Sequence, residues 1–261
     1  MKNFNDNIGV SIVMPMYNGE NFLEKAISSV VKQTFKNWEL IIIDDHSDDN
    51  SYSIAKNYIS ENIKLLKTKN SRSGAAKARN IGILEAKKRF IAFLDCDDYW
   101  DSNKLEKQLN LLIKEKAHFC YSAYNIFDNE SGKIIGSFHP KNNINYYSLL
   151  KGCDIGCLTV VYDTAYLGKC YFPETVKEDY ALWLAIAKIK NIKFVFCSDT
   201  LANYRISSNS ISSNKWKEIK RQFFIYNEIE NLGFINSSRY LASYIFYGIK
   251  KHYLSYRGNK N

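Results

Sequence analysis

Three carboxylates fall within four positions at Asp95-Cys96-Asp97-Asp98, directly after the apolar run Phe90-Ile91-Ala92-Phe93-Leu94. An apolar run of this length reads as a buried strand. The carboxylates cannot follow it into the core, because an unpaired buried charge is very costly. They belong at the carboxyl edge of the sheet, where open α/β folds hold their ligands. Clustered carboxylates repel one another unless a cation neutralises them, and hard divalent ions prefer oxygen ligands. The stretch is therefore a candidate metal site facing a crevice, although Asp at a strand end also caps helices and forms turns.

The elements that must position this cluster follow from periodicity. Val10 to Met14 read as a short strand stopped by Pro15, followed by a turn at Tyr17-Asn18-Gly19-Glu20. A helix comes next, with Phe22, Leu23, Ala26, Ile27, Val30 and Val31 on its apolar face. Leu40 to Ile43 are wholly apolar, as in parallel strands buried on both faces. They run into the polar loop Asp44-Asp45-His46-Ser47-Asp48-Asp49. A helix through Ile54 and Tyr58, a strand near Ile63 to Leu66 and a helix from Ala75 to about Lys87 lead back to the carboxylate strand. Strand and helix alternate through the first hundred residues, which argues for a doubly wound, mostly parallel sheet with flanking helices. Right-handed crossovers bring Pro15–Glu20, Asp44–Asp49 and Asp95–Asp98 to one edge.

Beyond Trp100, Ser102 is a plausible cap for a helix carrying Leu105, Leu109, Leu112 and Ile113. Phe119 to Ala123 and Lys133 to Phe138 read as strands joined by a turn at residues 128–132. Cys157 to Tyr162 read as another strand, and Phe194 to Cys197 as the last. Glu178-Asp179 open a strongly apolar helix, where acidic residues also favour the N-terminus through the helix dipole. From Trp216 to about Arg257, aromatic and basic residues mix in two amphipathic helices separated near Asn231 to Asn236. Such helices either lie in a membrane interface or cap the domain.

The 261 residues carry 36 Lys and Arg against 27 Asp and Glu, a net charge of +9. That excess suits an anionic partner such as a phosphorylated substrate, a membrane surface or nucleic acid. The six cysteines are scattered, and Cys153 and Cys157 lack neighbours that would complete a zinc pattern, so reduced thiols are expected. The start has no apolar core of a signal sequence, and no apolar run approaches the ~20 residues that span a bilayer. A cytoplasmic protein is expected, at most peripheral on the inner face of the cytoplasmic membrane.

The order of these signals resembles family 2 of the inverting, metal-dependent bacterial glycosyltransferases, which have the GT-A fold. The resemblance runs from Val10–Asn18 through Asp44-Asp45, Gly74–Asn80 and Asp95–Asp98 to Glu178–Leu184 and Tyr204-Arg205. It implies a GT-A domain over residues 1–212, with a nucleotide-binding half at 1–100 and an acceptor half at 101–212. Residues 213–261 would be a helical extension. It also implies roles. Pro15, Tyr17 and Asn18 would wall the nucleotide pocket, with Glu20 nearby. Asp45 would accept from the uracil ring, Arg79 would face the base or diphosphate, and Arg205 would reach the diphosphate. Asp95 would contact the ribose and the metal, and Asp97 would bind Mn²⁺ or Mg²⁺. Asp179 would be the general base, with Glu178 second to it.

The implied reaction is transfer of a hexose, glucose or galactose, from a UDP-sugar with inversion. The implied acceptor is a saccharide or an undecaprenyl-diphosphate-linked sugar, in assembly of a surface polysaccharide such as O-antigen or capsule. Two other readings stay open. A nucleotidyltransferase shares this kind of sheet, but would open with a Gly-rich basic loop where this chain has Pro15–Glu20. The charge and tyrosines could also mark a single-strand nucleic-acid binder. That reading leaves the carboxylate cluster unexplained, so no nucleic acid is expected.

Overall fold

A computed structural model of the chain describes residues 8–129, 131–206 and 215–255. The expected boundary at residue 212, and Tyr256 and Arg257 of the expected tail, lie outside them. The first half alternates as the periodicity requires: β1 (Val10–Met16), α1 (Leu23–Val31), β2 (Trp38–Asp44), α2 (Ser51–Lys56), β3 (Ile63–Lys67), α3 (Ala75–Glu85) and β4 (Phe90–Phe93). These four strands are parallel, in the order β3-β2-β1-β4. Successive side chains of a strand point to opposite faces. Val10, Ile12 and Met14 of β1 accordingly enter a core with α1 and α2, while Val13 enters a second core with α3. Pro15 does not stop β1, which runs on to Met16 opposite Asp44. Pairing with β4 ends at Val13, so beyond it β1 has a ladder on one side only, where a proline is tolerated.

The second half comprises β5 (Tyr99–Trp100), α4 (Lys104–Glu115), β6 (Phe119–Asp128), β7 (Ile134–Phe138), α5 (Tyr146–Lys151), β8 (Val161–Asp163), α6 (Thr164–Leu167), α7 (Glu178–Ala187), β9 (Phe194–Ile206), α8 (Lys215–Phe224) and α9 (Gly233–Ser255). Here the sheet becomes mixed. β8 joins β4 antiparallel, β6 joins β8 antiparallel, β9 joins β6 parallel and β5 closes the far edge antiparallel to β9. The expected hairpin of β6 and β7 is present.

Two local expectations yield to tertiary contacts. Residues Cys157–Thr159 form a 3₁₀ turn rather than a strand, and only Val161–Asp163 pair. The Thr159 hydroxyl donates to the Gly156 carbonyl at 2.7 Å, and the Leu158 carbonyl accepts from the Trp100 indole at 2.8 Å. Ser102 does not cap α4, which Asn103 precedes without a side-chain cap. Its carbonyl instead accepts from the Thr34 N–H at 2.7 Å, tying the start of α4 to the loop after α1.

Beyond Glu178-Asp179 helix α7 is wholly apolar, and most of it is covered: Tyr180–Leu184 and Ile186 are buried, while Ala185 is exposed. Trp183 packs edge-on against Phe119 at 5.1 Å and Phe172 at 6.0 Å, and Phe172 in turn packs edge-on against Phe93 of β4 at 5.0 Å. Helix α3 lies close on β1 and β2 at Gly82, where a Cβ would stand 2.4 Å from Val13 Cγ1. Only glycine permits that approach.

Lys104 is fully buried on α4, its Nζ donating to Gln108 Oε1 and lying 4.3 Å over the Trp100 ring. Burial pulls its pKa down from 10.5 to about 7. An unfolded lysine keeps its proton until pH ~10.4. Folding therefore releases a proton between those values, and stability rises with pH across that window and levels off below it. The expected slope is at most about 1.4 kcal/mol per pH unit. Denaturant unfolding between pH 7 and pH 9.5 should show this rise in the native chain and a flatter profile in Lys104→Met. Parallel profiles would refute the assignment.

Candidate active site

The turn after β4 separates its three carboxylates rather than pooling them. Asp98 is buried, and its Oδ1 accepts from the Arg205 N–H of β9 at 2.8 Å. Burial, with Asp97 and Asp95 adding their charge, pushes its carboxyl well above the usual range. Asp95 faces the other way, and its Oδ1 accepts from Arg79 at 2.6 Å. Asp97 lies between them, half-buried, and its carboxylate has no hydrogen bond or ion pair to another described side chain. Burial first, and Asp95 second, raises its pKa. Among the described residues no three acidic, His or Cys side chains converge as a ready-made ion cage.

Arg79 is the joint of the site. It sits in the second turn of α3 with its side chain only 6% exposed. One terminal nitrogen donates to Asp95 and the other to Glu178 Oε1 at 2.9 Å, while the guanidinium lies 5.2 Å over the Phe172 ring. The end of β4 is thereby tied to the first turn of α7. Asn80 makes a second tie. Its amide donates to the Phe172 carbonyl at 2.8 Å and accepts from the Phe172 N–H at 2.7 Å, holding the segment that leads into α7.

Asp179 follows Glu178, with its Oδ1 accepting from the Tyr180 N–H at 2.7 Å. Burial raises its pKa, Glu178 adds to the rise, and Arg79 opposes it. Arg79, Asp95, Glu178 and Asp179 share the lining of one cavity of about 450 Å³, and Lys177 and Tyr244 face it as well.

The remaining expected site residues do not line that cavity. Asn18 takes a left-handed φ of 49°, which asparagine tolerates. It accepts from the Asp48 N–H and donates its own N–H to Ser47. The Glu20 carboxylate accepts from the N–H and side-chain amide of Asn50, both at 3.0 Å. Gly19 lets this laced pair of loops lie on the carboxylate turn, since a Cβ there would meet Cys96 Sγ at 2.8 Å. Tyr17 is exposed, and Pro15 is buried in β1. Asp45 is buried and holds the next loop, accepting from the Thr68 hydroxyl and from the N–H groups of Ser73 and Gly74. Arg205 is clamped beneath the turn. It donates to the Asp97 carbonyl at 2.7 Å and to the Asn129 side chain at 2.6 Å, with Phe22 3.8 Å below its guanidinium.

A family model described as "Glycosyl transferase family 2" matches residues 11–168 of this fold. The chain belongs to glycosyltransferase family 2. Relatives of this glycosyltransferase cover it nearly end to end. An Escherichia coli protein named UDP-Glc:alpha-D-GlcNAc-diphosphoundecaprenol beta-1,3-glucosyltransferase WfgD is 46% identical over 98% of this chain and 99% of its own length. The putative teichuronic acid biosynthesis glycosyltransferase TuaG of Bacillus subtilis is 36% identical over 93% and 96%. Among solved structures, S. aureus TarS 1-349 in complex with UDP-GlcNAc superposes with a TM-score of 0.70 at 21% identity, covering 97% of this chain and 74% of that one. A Pyrobaculum calidifontis mannosyltransferase solved with GDP-Man and Mn2+ gives 0.63 at 14%, covering 89% and 69%. These likenesses identify the fold as GT-A.

Some residues of the candidate site carry no signal of their role in the sequence. Asn80 stood inside a recognised motif, but its partner Phe172 is 92 residues away. Asn129 and the partners of Lys177 left no local pattern at all. Removing Arg79 would leave Asp95 and Glu178 unpaired, at side-chain exposures of 31% and 26%. Breaking a buried pair costs roughly 3–5 kcal/mol, and partial exposure reduces that to about 2–3 for Arg79→Met. Arg79→Lys should recover less than half of the loss, because one ammonium cannot reproduce the planar fork. Urea unfolding measures both, and a neutral Arg79→Met would refute the structural role.

Proposed function

We propose that this glycosyltransferase moves a glucosyl group from UDP-glucose onto a diphosphoundecaprenol-linked N-acetylhexosamine, with inversion, in assembly of a surface polysaccharide. The observation that carries it is the Arg79 bridge, which sets Asp95 at the carboxylate turn and Asp179 on one cavity. The reading of donor and acceptor is supported by the 46% identical relative, whose name states that donor and that acceptor class. The divided turn supports distinct duties on the donor side. Asp95 contacts the ribose, Asp45 meets the base beyond the loop it organises, and Arg79 and Arg205 orient the carboxylates that face the diphosphate.

On the acceptor side, Asp179 takes the proton from the attacking hydroxyl with its Oδ2, Oδ1 being engaged by Tyr180. The acceptor oxygen then bonds to the anomeric carbon as the bond from that carbon to the UDP oxygen breaks on the opposite face, and UDP departs with the electron pair.

The donor set suits a hard divalent cation. Such an ion is held by one or two carboxylates together with substrate phosphate oxygens, not by a full protein cage. The Asp97 carboxylate makes no hydrogen bond or ion pair with another described side chain, and its charge is already disfavoured by burial and Asp95. Asp97, with Asp95 beside it, would hold Mn²⁺ or Mg²⁺, which would neutralise charge developing on the departing diphosphate.

Asp97→Ala and Asp179→Asn should each lower transfer from UDP-glucose by ~10²–10⁴-fold, the range of general acid–base catalysis for the second. Asp179→Asn should still bind UDP. Because Asp179 acts unprotonated and its pKa is raised, kcat should fall as pH drops through a limb above the ordinary Asp value of ~3.9. Full activity in either variant, or a limb at or below that value, would sink the assignment.

A peripheral station on the membrane is part of the same reading. No described helix is long and apolar enough to cross a membrane. The exposed residues Trp216, Phe234, Ile235 and Phe246 lie on α8 and α9 among Lys217, Lys220, Arg221 and Arg239. Each cation near an anionic lipid surface contributes ~1 kcal/mol. Co-sedimentation with phosphatidylglycerol vesicles should drop sharply in Trp216→Ala/Phe234→Ala/Phe246→Ala. A native enzyme that stays in the supernatant would dispose of the idea.

A further inference from the structure

We propose that Lys177 is a positioning residue for the transfer step, the link by which the two C-terminal helices hold the backbone carrying Asp179. The inference rests on the reading of Asp179 as the general base.

Lys177 immediately precedes Glu178-Asp179 and takes a left-handed φ of 53°, which an L side chain rarely adopts. Its carbonyl accepts from the Ala181 N–H at 3.0 Å, so this backbone sets the direction in which α7 begins. The side chain turns away from α7 into a three-way clasp. Nζ donates to Gln222 Oε1 at 2.8 Å and to the Tyr244 hydroxyl at 3.0 Å, and pairs with Glu218 Oε2 at 3.2 Å. Glu218 is fixed in turn by Arg221 at 2.8 Å. Two of these partners belong to α8 and one to α9, and the Lys177 side chain is 14% exposed.

The first turn of α7 is thus held from two sides. Arg79 grips Glu178 from α3, and α8 and α9 grip Lys177, with Asp179 between the two grips on the cavity wall. A base must meet its hydroxyl within hydrogen-bond reach, so a small displacement of this turn costs rate and not fold.

The C-terminal helices have other anchors, which makes the clasp separable from their docking. At the far end of the hairpin Glu230 accepts from Tyr146 and pairs with Lys188 at 2.9 Å, and the Tyr226 hydroxyl donates to the Leu150 carbonyl at 2.6 Å. Loss of the Lys177 ammonium leaves these in place.

The test compares Lys177→Met, Lys177→Arg, Tyr244→Phe and Glu230→Gln in the full chain, with UDP-glucose and the lipid-linked N-acetylglucosamine acceptor. Lys177→Met should lower kcat roughly 10- to 100-fold, the penalty of a misplaced reacting group, with KM for UDP-glucose and calorimetric UDP affinity within about two-fold of native. Lys177→Arg should recover part of the loss, and Tyr244→Phe should lose a few-fold in the same sense. Glu230→Gln loosens the same helices elsewhere and should leave kcat within about two-fold.

Native kcat in both Lys177→Met and Tyr244→Phe overturns the proposal. So does an equal fall in Lys177→Met and Glu230→Gln, which would make the clasp ordinary docking. A fully active Asp179→Asn enzyme overturns the base assignment and this inference together. A native chain that binds no UDP fails earlier, at the donor reading.

Discussion

Everything in this site depends on one buried cation. Arg79 faces the end of the parallel sheet from one side and the start of α7 from the other, and its fork is the right shape to serve both. Without it, the carboxylates of Asp95 and Glu178 would push the two walls of the cavity apart. With it, like charges become the means of attachment. The cost of burying a guanidinium is offset in part by two charge-assisted hydrogen bonds and an aromatic face at Phe172, while its Nε has no hydrogen-bond partner.

The carboxylate turn follows the same logic of compensation. Four residues carry three carboxyl groups, yet each is handled differently: by Arg79 for Asp95, and by the Arg205 backbone for Asp98. Asp97 is left with its charge disfavoured and no side-chain hydrogen bond or ion pair among the described residues. The cation at position 205 reads in the sequence as a ligand contact. In the structure it supports the turn from below, stacked on Phe22 and bonded to the Asp97 carbonyl.

The parallel half of the fold was legible because its signal is local. Apolar runs such as Leu40–Ile43, and the turn residues that end them, record burial on both faces wherever the rest of the chain goes. The second half was less so. A two-residue strand, Tyr99–Trp100, has no periodicity to detect, and the Cys157–Thr159 turn is set by Gly156 and by an indole from 58 residues away. The same divide runs through the site. Arg79, Asp95, Glu178 and Asp179 stood in recognisable patterns and do share one cavity. Lys177 and Asn80 owe their place to partners that no spacing rule connects, and the carboxylates of Asp45 and Glu20 also make loop contacts that the sequence alone does not reveal.

The Arg79–Glu178 and Asp98–Arg205 contacts join residues 99 and 107 positions apart. That separation bears on how the molecule is made. Chains emerge from the ribosome at about 5–20 residues per second, and N-terminal units fold first. The parallel strands and their helices can therefore associate early, while loops closed over a hundred residues form slowly. During that interval Arg79 has Asp95 but not Glu178, and Asp98 waits for β9. A nascent chain thus carries a nearly finished parallel edge with no α7 opposite it, and the candidate site closes only when β9, the last described strand, has been synthesised.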